Sequence, residues 1–234
     1  MPTIRRKPDF KKDFYENQAW LQDSTVLGID EVGRGCLAGP VVAGAVILHP
    51  NKSNRLLKDS KLLDHEELIK AYTWITKNSW YGVGIIHHRW IDHINIYQAS
   101  MLAMARASAQ VLSLSQVKPQ CVLVDAVPLE LTSFEGDVIS FIYGEKKSSS
   151  IAAASIVAKV TRDRLLGQLE MTIPGYDFKE HKGYSTAKHK KNLHEFGACM
   201  IHRESFIDHF ANTQVNEQHL IFNAEELVPV IEHD

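Results

Sequence analysis

The sequence predicts a mixed α/β sheet, and three observations predict it. Five apolar runs of strand length, 26–29, 41–48, 80–87, 121–124 and 138–143, are bounded by turn residues and polar segments. Segment 91–114 carries Ile94, Tyr97, Met101 and Met104 at spacings of three and four, the apolar stripe of a long amphipathic helix. Strands come first and then alternate with helices, an order that builds one mixed sheet with helices against it.

Each element has a local reason. A polar arm, 1–22, has helical character around 10–21 and is expected to be solvated. The run 26–29 delivers Asp30 and Glu31, then breaks at Gly33-Arg34-Gly35, and a second strand follows Gly39-Pro40. Asp64, with Glu67 three residues later, is a capping box for a helix over 64–77. Val117-Lys118-Pro119 closes the long helix. Cys121-Val122-Leu123-Val124 is apolar throughout, the mark of a strand covered on both faces, and it ends in Asp125. Ser148-Ser149-Ser150 caps a helix over 151–171, whose run of alanines suits close packing on a sheet. A loop over 178–185, a basic helix to Phe196 and a short segment at 202–210 complete the part expected to fold, 23–211. The remainder, 212–234, reads as an acidic, flexible tail.

The chain has 234 residues, 44% hydrophobic and 23% charged, enough for one large domain with a substantial core. Its formal charge of -2 hides a polarised distribution. Between Glu145 and Lys191 ten Lys/Arg stand against five Asp/Glu, whereas five acids and no Lys or Arg follow Ala211. Cys36, Cys121 and Cys199 form no CxxC pair, which suits reduced thiols in a cytoplasmic protein. No apolar run approaches membrane-spanning length.

Three apolar runs end in acids: Asp30-Glu31, Asp125, and Glu145 just after Tyr143-Gly144. An acid pair before a glycine turn reads either as a solvated strand end or as half of a cation site. Neighbours on a strand point to opposite faces, so both carboxylates reach one site only if the strand ends or bulges there. Clustered carboxylates call for hard divalent cations, Mg²⁺ or Mn²⁺. The histidines His87, His88, His181, His189, His202 and His209 lack zinc-site spacing and read as surface or core residues, and Ser155 as a packing residue. Asp163 reads as an ion-pair partner on its helix.

The segments G-I-D-E-V-G-R-G, L-K-D-S-K-L, V-L-V-D, I-A-A-A-S-I-V-A-K-V-T-R-D-R and H-K-G-Y, in this order over about 25–210, resemble bacterial ribonuclease HII. The resemblance implies an RNase H-like fold, a five-stranded mixed sheet flanked by helices with a helical C-terminal part. It implies a monomeric endoribonuclease that cuts the RNA strand of RNA–DNA hybrids, and duplex DNA on the 5′ side of an embedded ribonucleotide. Mg²⁺ or Mn²⁺ would serve hydrolysis that leaves 3′-hydroxyl and 5′-phosphate ends, in ribonucleotide excision and RNA-primer removal. By motif, Asp30, Glu31 and Asp125 match the metal-binding acids. Glu145 stands where the family usually has Asp, and it completes the catalytic set. Gly33, Arg34 and Gly35 match the loop that contacts the sugar–phosphate, Lys61 and Lys146 would meet phosphates, and Tyr184 would stack under the ribose and sense its 2′-hydroxyl. Ribonuclease HIII shares fold and substrate but carries an N-terminal domain longer than the 25 or so residues ahead of the first strand here. Gln218-His219-Leu220-Ile221-Phe222 faintly resembles a sliding-clamp peptide.

Overall fold

The computed structural model describes residues 11–131 and 134–207. Residues 1–10 of the expected arm, the expected tail at 212–234 and the clamp-like peptide Gln218–Phe222 lie outside the described residues.

Five strands, β1 (Thr25–Val32), β2 (Val41–Leu48), β3 (Ser79–Ile86), β4 (Pro119–Asp125) and β5 (Asp137–Phe141), form one sheet in the order β3-β2-β1-β4-β5. The first three make an antiparallel meander, and β4 and β5 run parallel to β1, so the sheet is mixed as the sequence predicts. Helix α3 (His88–Leu114) covers one face; α2 (His65–Asn78) and α4 (Ser149–Thr172) cover the other. Strand β2 shows how the sequence feeds both layers. Val41, Ala43, Ala45 and Ile47 pack in the α3 core, while Val46 and Leu48 pack with Leu68 and Ile75 of α2 and the alanines of α4. Alternation along a strand with no polar face makes both faces core.

Helix α4 lies unusually close to the sheet. A Cβ on Gly28 would stand 2.2 Å from the Ser150 carbonyl carbon, and one on Gly44 2.3 Å from the Ala154 oxygen. Bare strand positions facing an alanine run bring helix backbone onto sheet backbone, and this fixes where the side chains further along α4 emerge.

Part of the expected solvated arm is docked. Helix α1 (Phe14–Trp20) buries Ala19 and Glu16. The Asp13 carboxylate accepts from the Ser149 amide (2.6 Å) and hydroxyl (3.0 Å), and Glu16 accepts from the Ser150 amide (3.1 Å). Two acids from outside α4 thus cap its N-terminus, where free amides and the helix dipole favour negative charge. Helix α3 starts earlier than predicted and breaks at Asn95 (φ 69°, ψ 164°), whose side chain accepts from the Gln98 amide at 3.0 Å and restarts the helix.

The predicted loop at 178–185 contains a single helical turn, α5 (Phe178–His181). Helix α6 (Ala187–Phe196), capped by Thr186 on the His189 amide at 3.1 Å, and α7 (Glu204–Ile207) follow. Among the described residues no helix is long and apolar enough to cross a membrane.

Candidate active site

The pairing of parallel strands explains how acids remote in sequence meet. The β1–β4 ladder ends at the pair Ile29↔Val124, so Asp30 and Asp125 each follow the last rung on neighbouring strands. Asp125 in turn lies opposite Phe141 of β5, and the tight turn Gly144–Lys146 after β5 supplies Glu145. Carboxyl ends of parallel strands in an open sheet are where α/β folds place their ligand sites. The acid pair does not sit at a strand end or bulge, as alternation led us to expect: β1 continues to Val32, paired with β2 through Glu31↔Ala43 and Val32↔Val42. What opens beside Asp30 and Glu31 is the pairing with β4, whose ladder to β1 has already ended at Ile29↔Val124.

Asp30, Glu31, Asp125 and Glu145 all line one open cleft of about 730 Å³. Lys61, Ser155, Lys159, Asp163 and Tyr184 line it as well. Asp30 is 8% exposed; its carboxylate accepts from the Glu31 amide at 2.7 Å, and the nearby Ser155 hydroxyl favours its charged form. Glu31 Oε1 accepts from Arg34 at 3.2 Å, while its Oε2 is buried with no partner. Asp125 Oδ1 accepts from the Gly144 amide at 2.7 Å, which ties the Glu145 turn to β4. Burial, then the neighbouring charges of Glu31 and Asp125, push Asp30 well above the ordinary carboxylate range. Burial also raises Glu31, against the opposing pull of Arg34, and raises Asp125 to about 6. These are groups short of positive charge.

The donor set is all oxygen and anionic, which suits a hard divalent cation. Among the described residues no three His, Cys, Asp or Glu side chains already stand as a closed coordination set.

The remaining predicted residues divide between the cleft and its rim. Lys61 lines the cleft, its amide donating to Asp59 Oδ1 at 3.0 Å. Tyr184, 37% exposed, pairs through its backbone with Cys36, and Lys159 and Arg162 approach its ring, each 5.6 Å from the centroid. Gly33, Arg34 and Gly35 form the turn after β1, with Gly33 at φ 91°. Lys146 is placed differently: its Nζ lies 5.1 Å over the Tyr143 ring, and it is not among the residues lining the cleft. Asp163 lines the cleft and pairs with Lys159 at 2.9 Å, one helical turn away.

Sequence reasoning passed over three residues. Ser155, read as packing, lines the cleft near Asp30 and stands 3.0 Å from the Ser60 hydroxyl. Arg162 and Arg203, both fully buried, form no ion pair with a carboxylate among the described residues; each donates to three backbone carbonyls. Arg162 reaches Pro40, Lys182 and Ala38 at 2.7–3.0 Å, and Arg203 reaches Gly39, Arg34 and Gly33 at 2.6–3.0 Å. A Cβ on Gly33 would meet Arg162 Nε at 2.3 Å, so only glycine lets this clamp close. One signal was legible: Ser155, Lys159, Arg162 and Asp163 follow one another at helical spacing along α4.

A family model for ribonuclease HII matches residues 27–209. The chain is 50% identical over 205 residues to ribonuclease HII of Listeria monocytogenes serotype 4a (strain HCC23), covering 87% of this chain and 76% of the relative. It is 49% identical, with the same coverage, to that of serotype 4b (strain F2365). Among solved structures it is similar to the PCNA:RNase HII complex from Archaeoglobus fulgidus (TM-score 0.63, 25% identity, 76% of this chain and 93% of that one). It is also similar to ribonuclease H2 from Pyrococcus horikoshii OT3 (TM-score 0.60, 25% identity, 77% and 93%). Bst-RNase HIII in complex with Mn²⁺ shares the fold (TM-score 0.61, 20% identity, 85% and 71%). With strands, acid cleft and family match in agreement, the chain belongs to the ribonuclease HII family and is a ribonuclease H, an endoribonuclease of RNA–DNA hybrids.

Proposed function

We propose that this chain cuts duplexes on the 5′ side of a ribonucleotide, down to a single one embedded in DNA, leaving 3′-hydroxyl and 5′-phosphate ends. In this reading Asp30, Glu31 and Asp125, with Glu145 beside them, hold Mg²⁺ or Mn²⁺. A pair of such ions supplies an activated water and charge stabilisation at the leaving oxygen. The observation that carries the reading is the under-satisfied acid cluster, with a buried, unpartnered Glu31 Oε2 and three carboxyls raised in one cleft.

The other roles belong to the chain's own groups. Ser155 lines the cleft beside Asp30, where its hydroxyl favours the charged carboxylate, and it meets the Ser60 hydroxyl. Gly33-Arg34-Gly35, clamped from behind by Arg203, offers the backbone a sugar–phosphate can approach. Lys61, beside Asp125, meets a phosphate, and Tyr184 packs against the ribose whose 2′-hydroxyl distinguishes RNA from DNA. Removal of misincorporated ribonucleotides and of RNA primers follows from that specificity. The three free cysteines suit a reducing compartment, and we assign the activity to the cytoplasm.

A duplex carrying one ribonucleotide, incubated with Mg²⁺ or with Mn²⁺, tests the proposal. Wild type is expected to cut once, 5′ of the ribonucleotide, and Asp30→Asn not to cut. Cleavage that ignores the ribonucleotide, or survives both Asp30→Asn and chelation, sinks it.

A further inference from the structure

Three histidines that the acid cleft does not use are buried together behind Tyr184. His181, His189 and His202 are 8%, 0% and 3% exposed. The His181 and His189 rings stack 4.1 Å apart at 12°, Phe178 meets His189 edge-on at 5.6 Å, and Tyr176 lies 5.2 Å from His202. Polar rings in such a place are costly unless every nitrogen is bonded. Here each one is.

The partners fix the protons. His189 Nδ1 lies 2.9 Å from the Tyr184 carbonyl, which can only accept, so Nδ1 carries the hydrogen. In a neutral ring Nε2 is then an acceptor, and His202 Nε2 at 3.0 Å must donate to it. His202 Nδ1 is left to accept, and the Cys199 amide donates to it at 2.9 Å. His181 obeys the same logic: Nδ1 accepts from the Gly183 amide at 3.1 Å, and Nε2 donates to the Tyr176 carbonyl. Burial lowers His189 to about 4 and His202 to about 3; His181 adds to the effect on His189, and His189, then His181 and His88, add to it on His202. The facing nitrogens of His189 and His202 share one proton, and they do not form part of a metal set among the described residues.

The chain of bonds therefore runs in one direction, from the Cys199 amide through His202 and His189 to the carbonyl of Tyr184. That carbonyl also accepts from the Thr186 amide at 2.8 Å. The next residue after His202 is Arg203, which holds Gly33 and Arg34. One short segment, 199–203, thus ties down both the glycine turn and the tyrosine that flank the cleft.

We infer that His189 and His202 are positioning residues for ribose recognition, their neutral hydrogen-bonded chain fixing the Tyr184 backbone so that its ring stands at the sugar. The inference rests on the role proposed above for Tyr184. An error of about 1 Å in the placement of a contacting group can cost on the order of 10²-fold in rate, so a chain that holds one backbone oxygen has kinetic weight.

Two measurements test it on the full-length protein. In the first, ¹⁵N spectra of the imidazoles in wild type are expected to show His189 as the Nδ1–H tautomer and His202 as Nε2–H, both neutral at pH values where an ordinary imidazole is protonated. An Nε2–H form of His189, or either ring charged at neutral pH, overturns the inference. In the second, cleavage of a duplex with a single ribonucleotide is followed for variants whose fold is checked by thermal unfolding. His189→Leu is expected to lower kcat/KM about tenfold, and His189→Asn, which keeps an N–H near the Nδ1 position, to recover most of it. In a Tyr184→Ala background His189→Leu should add little, because the two changes remove one interaction. If His189→Leu costs as much in that background as in wild type, the positioning role falls while the role of Tyr184 stands. If Tyr184→Ala itself leaves cleavage unchanged, the ribose reading falls and this inference with it.

Discussion

Around Asp30 the carboxylates outnumber their partners, whereas the guanidinium nitrogens of Arg162 and Arg203 and the ring nitrogens of His181, His189 and His202 have each found one. In the acid cleft Glu31 Oε2 is buried and unbonded, and Asp30, Glu31 and Asp125 all resist ionisation. Away from the acids the three nitrogens of Arg162 and of Arg203 each meet a carbonyl, and the histidine chain closes without a gap. Both clusters are buried and both are polar, so burial alone does not separate site from scaffold. Unmet charge gathered in one open cleft does: Asp30, Glu31 and Asp125 share such a cleft, whereas single unpartnered atoms such as Glu16 Oε2 and His88 Nε2 lie outside it, and the bonded arginines and histidines hold geometry.

The largest effect should come from the unsatisfied side. Asp30→Asn is expected to reduce cleavage by more than about 10²-fold. It should also raise the melting temperature of the metal-free protein, since it removes a charge that burial and two neighbouring acids oppose. A variant that loses both activity and stability would mean that Asp30 is scaffold, and the contrast would fail.

On the satisfied side the sign reverses. Arg203→Met strands the carbonyls of Gly33, Arg34 and Gly39, and urea unfolding should show a loss of about 3 kcal/mol or more. Gly28→Ala should follow at roughly 1–3 kcal/mol, because its Cβ would collide with α4 backbone.

The two clusters should also pull stability in opposite directions with pH. Asp125 is raised from 3.8 to about 6, so its contribution is complete below about 3.8 and is lost as pH rises through about 6. His189 and His202 are lowered from 6.5, so theirs is complete above about 6.5 and declines as pH falls towards about 4 and about 3. Unfolding of the metal-free protein across this range should therefore respond in opposite ways: Asp125→Asn lessens the loss at rising pH, and His189→Asn lessens the loss at falling pH. Finally, Lys61→Ala should reduce the slope of log affinity for duplex against log salt by about 1, and Lys146→Ala by clearly less, because only Lys61 lines the cleft.

Much of this was legible in advance. The strands were, because runs such as Val41–Leu48 have no polar face to confuse them. Asp30, Glu31, Asp125 and Glu145 were legible as acids that follow apolar runs. That they meet was implied by the family resemblance and not by the residues alone, because it depends on the parallel register Ile29↔Val124, and nothing near either residue encodes it. Arg162 and Arg203 were invisible for a different reason: their partners are backbone carbonyls, which carry no residue identity. Ser155 hid in an alanine run that packing alone explained, and α1 looked solvated because Asp13 and Glu16 are ordinarily surface residues.

The sequence by itself determined the elements, the order in which they alternate and the residue types able to bind a cation, because these follow from periodicity and side-chain chemistry within a few residues. Only the tertiary structure decided which acids share a cleft, which cations serve as clamps and which imidazoles form a chain. Those are matters of register and of hydrogen-bond satisfaction across as many as 170 residues of chain, and they exist only once the elements have packed on one another.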